Sequence, residues 1–306
     1  LPDGAVLVLG QDHKFTVLEE LGRGGSCIVY HAFYLDMTGQ KHLVRIKECY
    51  PCRPQVTRLE GGALCALSPD EEIFEETKQK FREAYRKNVE LKKTLGLVNS
   101  TADAMNIYEE NHTVYSVVTC VEGRDYRAAV DETIHAIFVR LLTLSKIIQK
   151  YHREGILYLD IKPENILVIP ETMEHMVLFD FDSLIRKEDL KNRKKISIPF
   201  SDGYTAPELF MGDPGQICEA SDIYSIGAIA FYKLFGRKPN VLDGSIGCSY
   251  DFALLRTKDQ RYQPDFFRLL DEFLHKSIAT AVAFRYQSIE ELIPVLERLA
   301  ALSQVE

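Results

Sequence analysis

The stretch that decides the fold is Asp160-Ile161-Lys162-Pro163-Glu164-Asn165, a polar loop that carries a carboxylate, an ammonium group and a carboxamide. The apolar residues before it recur at helical spacing and stop at Gly155, which predicts a helix that ends there. These residues are Ile137, Leu141, Leu144, Ile148 and Tyr151. Two short apolar runs, residues 166–169 and 176–179, follow the loop and are typical of strands. The loop is therefore expected to connect a helix to a pair of short strands.

The first third of the chain has the pattern of a small antiparallel sheet. The glycine-rich turn Leu21-Gly22-Arg23-Gly24-Gly25 lies between its first two strands. Residues 48–71 hold three prolines and two glycines, which predicts a loop, and residues 72–95 predict a charged helix. Strand-like runs occur at residues 15–18, 28–30, 43–47 and 115–121.

The rest of the chain is mostly helical in pattern, with further helices expected at residues 222–235 and 289–302. We therefore expect an α+β fold with two lobes. Residues 1–122 would form a small, β-rich N-lobe and residues 123–306 a larger, helical C-lobe.

Five side chains carry the groups that phosphoryl transfer requires. This reaction needs cations and backbone amides around the phosphates, oxygen ligands for a metal ion and a carboxylate near the attacking hydroxyl. Asp160 can supply the carboxylate, and Lys162 and Lys47 can supply the cations. Asn165 and Asp180 carry the oxygen atoms that a hard cation such as Mg²⁺ prefers.

Together these motifs resemble those of protein kinase catalytic domains, and of the bacterial serine/threonine (eukaryotic-like) branch in particular. Residues 160–165 match the family pattern D-x-K-P-x-N. Phe179-Asp180-Phe181-Asp182 stands at the position of D-F-G, and Val44-Arg45-Ile46-Lys47 at that of V-A-I-K. The Leu-Pro-x-Gly opening and Lys47-Glu48-Cys49-Tyr50-Pro51 are similar to the bacterial branch. The resemblance implies an ATP-dependent enzyme that phosphorylates protein hydroxyls.

The resemblance also implies a role for each candidate site residue. Asp160 and Lys162 would be catalytic, together with Lys47 held by Glu83, for which Glu90 is the alternative. Asn165 and Asp180 would bind Mg²⁺, with Mn²⁺ as an alternative ion. The residues expected to contact ATP are Gly22, Gly24, Gly25, Val29, Lys47, Thr119, Val121 and Leu167.

Three residues of the second half, Glu208, Asp222 and Arg285, favour a protein substrate over a small molecule. In the family, Arg285 would pair with Glu208, at the end of Gly203-Tyr204-Thr205-Ala206-Pro207-Glu208. Asp222 would brace the backbone of the catalytic loop. Thr205 is expected on the substrate-facing surface beside Lys162.

Four positions depart from the family pattern and leave a second function open. Arg45 replaces a small alanine, and strand alternation places it on the same face as Lys47. The other departures are Cys27 for the third glycine of the turn, Leu159 for the arginine before the catalytic aspartate, and Asp182 for the glycine of D-F-G. The alternative is a pseudokinase, a nucleotide-responsive binding module. A small-molecule kinase comes third.

The composition of the chain limits the classes of partner that it is expected to bind. The net charge of −8 argues against a nucleic-acid surface, and no apolar run is long enough to span a membrane. Seven scattered cysteines suit a reducing cytoplasm. Cys49-x-x-Cys52 lacks a second Cys or His pair at metal-ligand spacing, so the pattern does not favour a zinc or redox role. We expect a cytoplasmic domain of a longer protein, with ATP and an unknown protein substrate as partners.

Overall fold

The computed structural model describes residues 1–53, 55–95, 104–120, 123–127, 133–169, 175–179, 183–190, 200–258 and 262–304. The chain divides into two units, Leu1–Glu122 and Gly123–Glu306. No described helix has both the length and the apolar character needed to cross a membrane.

The first unit is built on a six-stranded antiparallel sheet with the strand order β1-β2-β3-β4-β8-β7. Its strands are β1 (Val6–Leu9), β2 (His13–Arg23), β3 (Cys27–Leu35), β4 (Lys41–Cys49), β7 (Ala104–Glu110) and β8 (Thr113–Thr119), with β5 and β6 in the hairpin described below. On β4, Val44 and Ile46 are fully buried, whereas Arg45 and Lys47 lie half-buried on the opposite face. The predicted sheet, its glycine turn and the shared face of Arg45 and Lys47 are confirmed.

Residues 48–71, predicted as loop, contain regular structure, so that prediction was wrong in part. Strands β5 (Val56–Arg58) and β6 (Leu64–Ala66) form a hairpin, followed by a 3₁₀ turn at Ser68–Asp70. Val56 and Leu64 pack in a buried cluster with Cys49 and with Phe74 of helix α1 (Glu71–Leu95). The burial of Val56 and Leu64 stabilises these two strands. The prolines and glycines around the strands made the sequence look like a loop.

The second unit is mainly helical and carries the predicted loop among short strands. Its strands are β9 (Arg124–Asp125), β10 (Ile156–Leu157), β11 (Ile166–Val168), β12 (Met176–Leu178) and β13 (Ile185–Arg186). Its helices are α2 (Ile134–Arg153), α3 (Lys187–Leu190), α4 (Pro207–Met211), α5 (Glu219–Phe235), α6 (Ala253–Lys258), α7 (Pro264–Ile278) and α8 (Ile289–Ser303). Short 3₁₀ turns occur at Pro163–Asn165 and Val282–Phe284.

Helix α2 sets the start of the loop that follows it. The Thr133 side chain caps its first turn by accepting a hydrogen bond from the Ala136 amide at 3.1 Å. Ile137, Leu141, Leu144 and Ile148 form its buried face, as predicted. Gly155 follows the helix at a φ of +69°, a left-handed conformation that glycine adopts without strain. The helix therefore stops where the sequence predicts.

Candidate active site

Asp160, Lys162 and Asn165 meet in one hydrogen-bonded cluster in the second unit. The Lys162 ammonium group donates to Asp160 Oδ2 at 2.7 Å. Asn165 Nδ2 donates to the same oxygen at 3.1 Å and to the Asp160 carbonyl at 3.0 Å. Asp160 and Asn165 are buried, and Asn165 lies in the 3₁₀ turn that leads into β11. The compact loop thus gives the carboxylate one orientation.

Ser201 completes this cluster, and sequence reasoning missed it. Its hydroxyl donates to Asp160 Oδ1 at 2.8 Å and accepts a hydrogen bond from Lys162 Nζ at 3.0 Å. The sequence prediction placed Thr205 beside Lys162, whereas Thr205 Oγ1 accepts a hydrogen bond from the Ser201 amide at 2.8 Å. The prediction chose the wrong hydroxyl. Ser201 and Thr205 lie only four residues apart in one polar turn, and the sequence does not show which of the two faces Lys162. The only sequence signal for Ser201 is its hydroxyl a few residues before Ala206-Pro207-Glu208.

Asp222, on α5, braces the backbone just before Asp160. Its fully buried carboxylate accepts hydrogen bonds from the Tyr158 amide at 2.9 Å and from the Leu159 amide at 2.7 Å. Leu159 has a φ of +64°, a left-handed conformation that costs free energy in a non-glycine residue. Two charge-assisted hydrogen bonds offset that cost. The role that the resemblance implies for Asp222 is confirmed.

His152 is the third partner of Asp222. Its Nε2 lies 2.8 Å from Asp222 Oδ2, and its Nδ1 lies 3.3 Å from Glu219 Oε2. Burial by itself would lower the pKa of His152, but the contacts with Asp222 and Glu219 more than offset this and raise it to about 9. The pKa of Glu219 is lowered to about 2, mainly by its hydrogen bond with His152. Burial raises this pKa by less, and the ion pair with Lys187 lowers it further. The histidine is therefore a buried cation at neutral pH.

Tyr158 links the loop to the strand that precedes Asp180. Its hydroxyl donates to the Phe179 carbonyl at 3.1 Å, and its ring is fully buried against Tyr151. Asp180 and Asp182, the predicted metal ligand and its unusual neighbour, lie outside the described residues.

Glu208 and Arg285 form the buried ion pair that the resemblance implies. Two parallel hydrogen bonds join Arg285 to Glu208, at 2.8 and 2.9 Å. The guanidinium also donates to the Ala279, Ala220 and Thr280 carbonyls, at 2.7, 3.1 and 3.1 Å. The pair therefore fastens α4 to α5 and to the loop before Arg285, which confirms the prediction.

In the first unit, three of the predicted nucleotide residues align across neighbouring strands. Gly22 lies opposite Val29, and Val29 lies opposite Lys47. Gly24 and Gly25 are exposed in the turn between β2 and β3, which the Gly24 amide tightens by donating to the Cys27 carbonyl at 2.8 Å.

The remaining candidates are placed as follows. Glu83 is exposed on α1, where it accepts a hydrogen bond from Gln79 Nε2 at 2.9 Å, and Glu90 is exposed on the same helix. A pair between Lys47 and either glutamate stays a prediction. Thr119 ends β8 opposite Val44, and Leu167 is buried on β11. Val121 lies outside the described residues.

The model of the protein kinase domain family matches residues 71–274. Serine/threonine-protein kinase PknD of Protochlamydia amoebophila is 28% identical over 231 residues, which are 62% of this chain and 23% of the relative. Myosin light chain kinase family member 4 of Mus musculus is 24% identical over 260 residues, 81% of this chain and 62% of the relative. The structure of PpkA-294 in its apo form aligns with a TM-score of 0.65 at 23% identity, over 97% of this chain and 99% of that one.

These similarities settle the fold class. The family match and the structural likeness confirm the predicted α+β, protein-kinase-like fold. The chain spans less than two thirds of the length of both relatives named above.

Proposed function

Because the chain belongs to the protein kinase domain family, we propose that it is a serine/threonine protein kinase that depends on ATP and magnesium. The observation that carries this proposal is the cluster of Asp160, Lys162, Asn165 and Ser201, in which a carboxylate, a cation, an amide and a hydroxyl converge. Bacterial and animal relatives whose names include serine/threonine-protein kinase and myosin light chain kinase support it.

In this proposal, Asp160 orients the acceptor hydroxyl and receives its proton, and Lys162 neutralises charge on the transferred phosphoryl group. The Ser201 hydroxyl lies 2.8 Å from Asp160 Oδ1, in the position expected of an acceptor hydroxyl. A substrate hydroxyl would share or replace this hydrogen bond during the reaction.

Asn165 and Asp180 would hold the metal ion, Mg²⁺ or Mn²⁺. The donor set fits, since an amide oxygen and a carboxylate are ligands that hard cations prefer. Asn165 Nδ2 is committed to Asp160, so its Oδ1 points away from that contact and can face an ion. When bound, such an ion would supply positive charge that neutralises the phosphates of ATP.

The first unit would then be the N-lobe, residues 1–122, and the second the C-lobe, residues 123–306. The N-lobe would cover ATP through the exposed glycine turn and Lys47, with Glu83 or Glu90 as the partner of Lys47. The residues proposed to contact ATP are Gly22, Gly24, Gly25, Val29, Lys47, Thr119, Val121 and Leu167.

The proposed partner is a protein substrate, and the proposed compartment is the cytoplasm. The seven cysteines are scattered along the chain and none of them is in a disulfide, which suits a reducing compartment. The net charge of −8 gives no support to nucleic-acid binding.

Arg45 supports a second candidate function, that of a pseudokinase. This residue lies half-buried on the same face of β4 as Lys47, where it stands directly opposite His31 and Val118. A charged side chain on the face proposed for adenine could weaken nucleotide binding enough to leave a binding module without transfer activity.

Asp160→Asn tests the first candidate. A positioned acid–base group contributes about 10²–10⁴-fold to a rate, so transfer from radiolabelled ATP to a generic protein substrate should fall by about that factor. ATP affinity and thermal stability should stay near wild type, because the asparagine oxygen can still accept from Lys162 while its Nδ2 can donate to the Ser201 hydroxyl. Wild-type turnover in this variant would overturn the role of Asp160. No turnover in the wild type, with ATP binding intact, would favour the pseudokinase.

A further inference from the structure

Two cysteines face each other at the end of the glycine turn. Cys27, the first residue of β3, lies directly opposite Cys49, the last residue of β4. The Tyr50 amide donates to the Ser26 carbonyl at 3.0 Å, which makes Ser26 and Tyr50 a hydrogen-bonded pair. Such pairs alternate along an antiparallel ladder, so Cys27 and Cys49 form a non-hydrogen-bonded pair, for which the Cα separation is about 4.5 Å. Disulfides span Cα separations of about 4.4–6.8 Å.

This thiol pair lies on the proposed nucleotide face of the sheet. Val29 and Lys47, two residues along each strand, are also direct partners. Since side chains alternate between faces, Cys27, Cys49, Val29 and Lys47 all point the same way. A bond between the two sulfur atoms would therefore link the glycine turn to the strand of Lys47.

The two thiols differ in exposure, which sets the order in which they would react. Neither cysteine is in a disulfide and both are buried, with Cys27 7% exposed and Cys49 fully enclosed. Burial, and next the neighbouring Cys27, raise the pKa of Cys49 to about 12. Cys27 is thus the thiol that an oxidant reaches first. A disulfide formed between these strands would be open to reduction by a dithiol, which is how regulatory disulfides are reset.

Metal binding does not explain the pair. Within the described parts of the chain, no three His, Cys, Asp or Glu side chains are grouped to hold a metal ion. Nearby Cys52 is exposed, and its amide donates to the Gly25 carbonyl at 2.9 Å. Cys52 has no partner strand opposite it and serves as the matched control.

We propose that Cys27 and Cys49 are an oxidation site at which hydrogen peroxide forms a disulfide that locks the glycine turn. Cys27 attacks one peroxide oxygen, which gives a sulfenic acid and water. Cys49 then attacks the Cys27 sulfur and displaces the second water. Two thiols and one peroxide thus become one disulfide and two waters, and the two electrons from sulfur reduce the O–O bond. The disulfide stands by itself; its effect on ATP rests on the proposed function.

The first test maps the bond in the purified chain after peroxide treatment. Trypsin leaves Cys27 in the peptide 24–41 and both Cys49 and Cys52 in the peptide 48–58, because Pro54 protects Arg53. We expect a cross-link between these peptides in the wild type and in Cys52→Ser, and none in Cys27→Ser. No cross-link in the wild type, or its loss in Cys52→Ser, would overturn the proposal.

The second test measures ATP affinity by calorimetry before and after oxidation. A disulfide would hold the end of the glycine turn against β4 more rigidly than its hydrogen bonds do, so we expect affinity to fall about ten-fold, or roughly 1.4 kcal/mol, and to recover with dithiothreitol. Cys52→Ser should respond in the same way, and Cys27→Ser should not respond. Unchanged affinity in a cross-linked wild type would overturn the lock. A reduced protein that binds no ATP would instead count against the proposed function, while the peptide map would still decide the disulfide.

Discussion

At the scale of the residue, we expect Arg45 to influence how tightly the proposed kinase binds ATP. Its planar, permanently charged guanidinium shares a strand face with Lys47, where it can stack on a base or approach phosphates. We expect Arg45→Ala to weaken ATP binding about three- to ten-fold. This corresponds to roughly 0.6–1.4 kcal/mol from a lost cation–π or phosphate contact. Isothermal titration calorimetry measures this directly.

The control for Arg45 is Lys41→Ala, which removes one charge from the exposed start of the same strand. It should leave ATP affinity unchanged. Tighter binding by Arg45→Ala would mean that the arginine obstructs the nucleotide, and it would favour the pseudokinase.

At the scale of the element, the ion pair of Arg285 and Glu208 holds α4 against α5. Both side chains are buried, and Ser221 also donates to Glu208 Oε1 at 2.6 Å. Arg285→Ala leaves Glu208 as an uncompensated buried charge, so the free energy of unfolding should fall by about 3–5 kcal/mol. Urea denaturation measures this. Lys276→Ala removes an exposed i,i+4 pair with Glu272 and should cost under ~0.5 kcal/mol. Equal losses in both variants would contradict the argument.

The contact between α2 and α5 through His152 predicts a pH dependence. The pKa of His152 is raised from 6.5 to about 9, so its stabilising contribution is complete below about pH 6.5 and is lost as pH rises through 9. Glu219, which also faces His152, stays ionised across this window, because contact with His152 lowers its pKa to about 2. The melting temperature should therefore fall between pH 7 and pH 9.5.

His152→Gln separates this histidine from other groups that titrate in the same range. The variant keeps a donor for Asp222 but carries no charge, so its melting temperature should be lower at pH 7 and depend less on pH. Parallel wild-type and variant curves, measured by differential scanning calorimetry, would show that His152 is not the titrating group.

At the scale of the whole molecule, magnesium and ATP should stabilise the chain only together. At 100 times the dissociation constant, a ligand adds about 2.7 kcal/mol to the free energy of unfolding. For a chain of this size, that corresponds to a rise in melting temperature of several degrees, on the order of 2–4 °C per kcal/mol. A thermal-shift titration with ATP, with and without Mg²⁺, measures this rise.

Asp180→Ala should abolish the magnesium-dependent part of the shift, because the proposed carboxylate ligand is lost. Asp265→Ala, which removes an exposed acid from α7, should behave as the wild type does. A full magnesium-dependent shift in Asp180→Ala would assign the ion to another residue.

By itself, the sequence determined those elements of this protein that depend on interactions between neighbouring residues. The alternation of Val44, Arg45, Ile46 and Lys47 predicted both faces of β4, and the apolar period before Gly155 predicted α2 and its end. These features depend on neighbours within a turn or a strand, so the pattern of side chains carries enough information to predict them. The spacing within residues 160–165 likewise placed Asp160, Lys162 and Asn165 in one cluster.

Only the tertiary structure decided the contacts between distant segments. Ser201, not Thr205, lies against Asp160, although 41 residues separate the two in the chain. The hairpin at residues 56–66 is held by two distant contacts. Arg58 donates a hydrogen bond to the Glu48 carboxylate of β4 at 2.5 Å, and Phe74 of α1 packs with Val56 and Leu64. The pairing of Cys27 with Cys49 follows from the register of two strands. No local pattern specifies such partners, because burial, charge pairing and strand register select them only when the chain has folded.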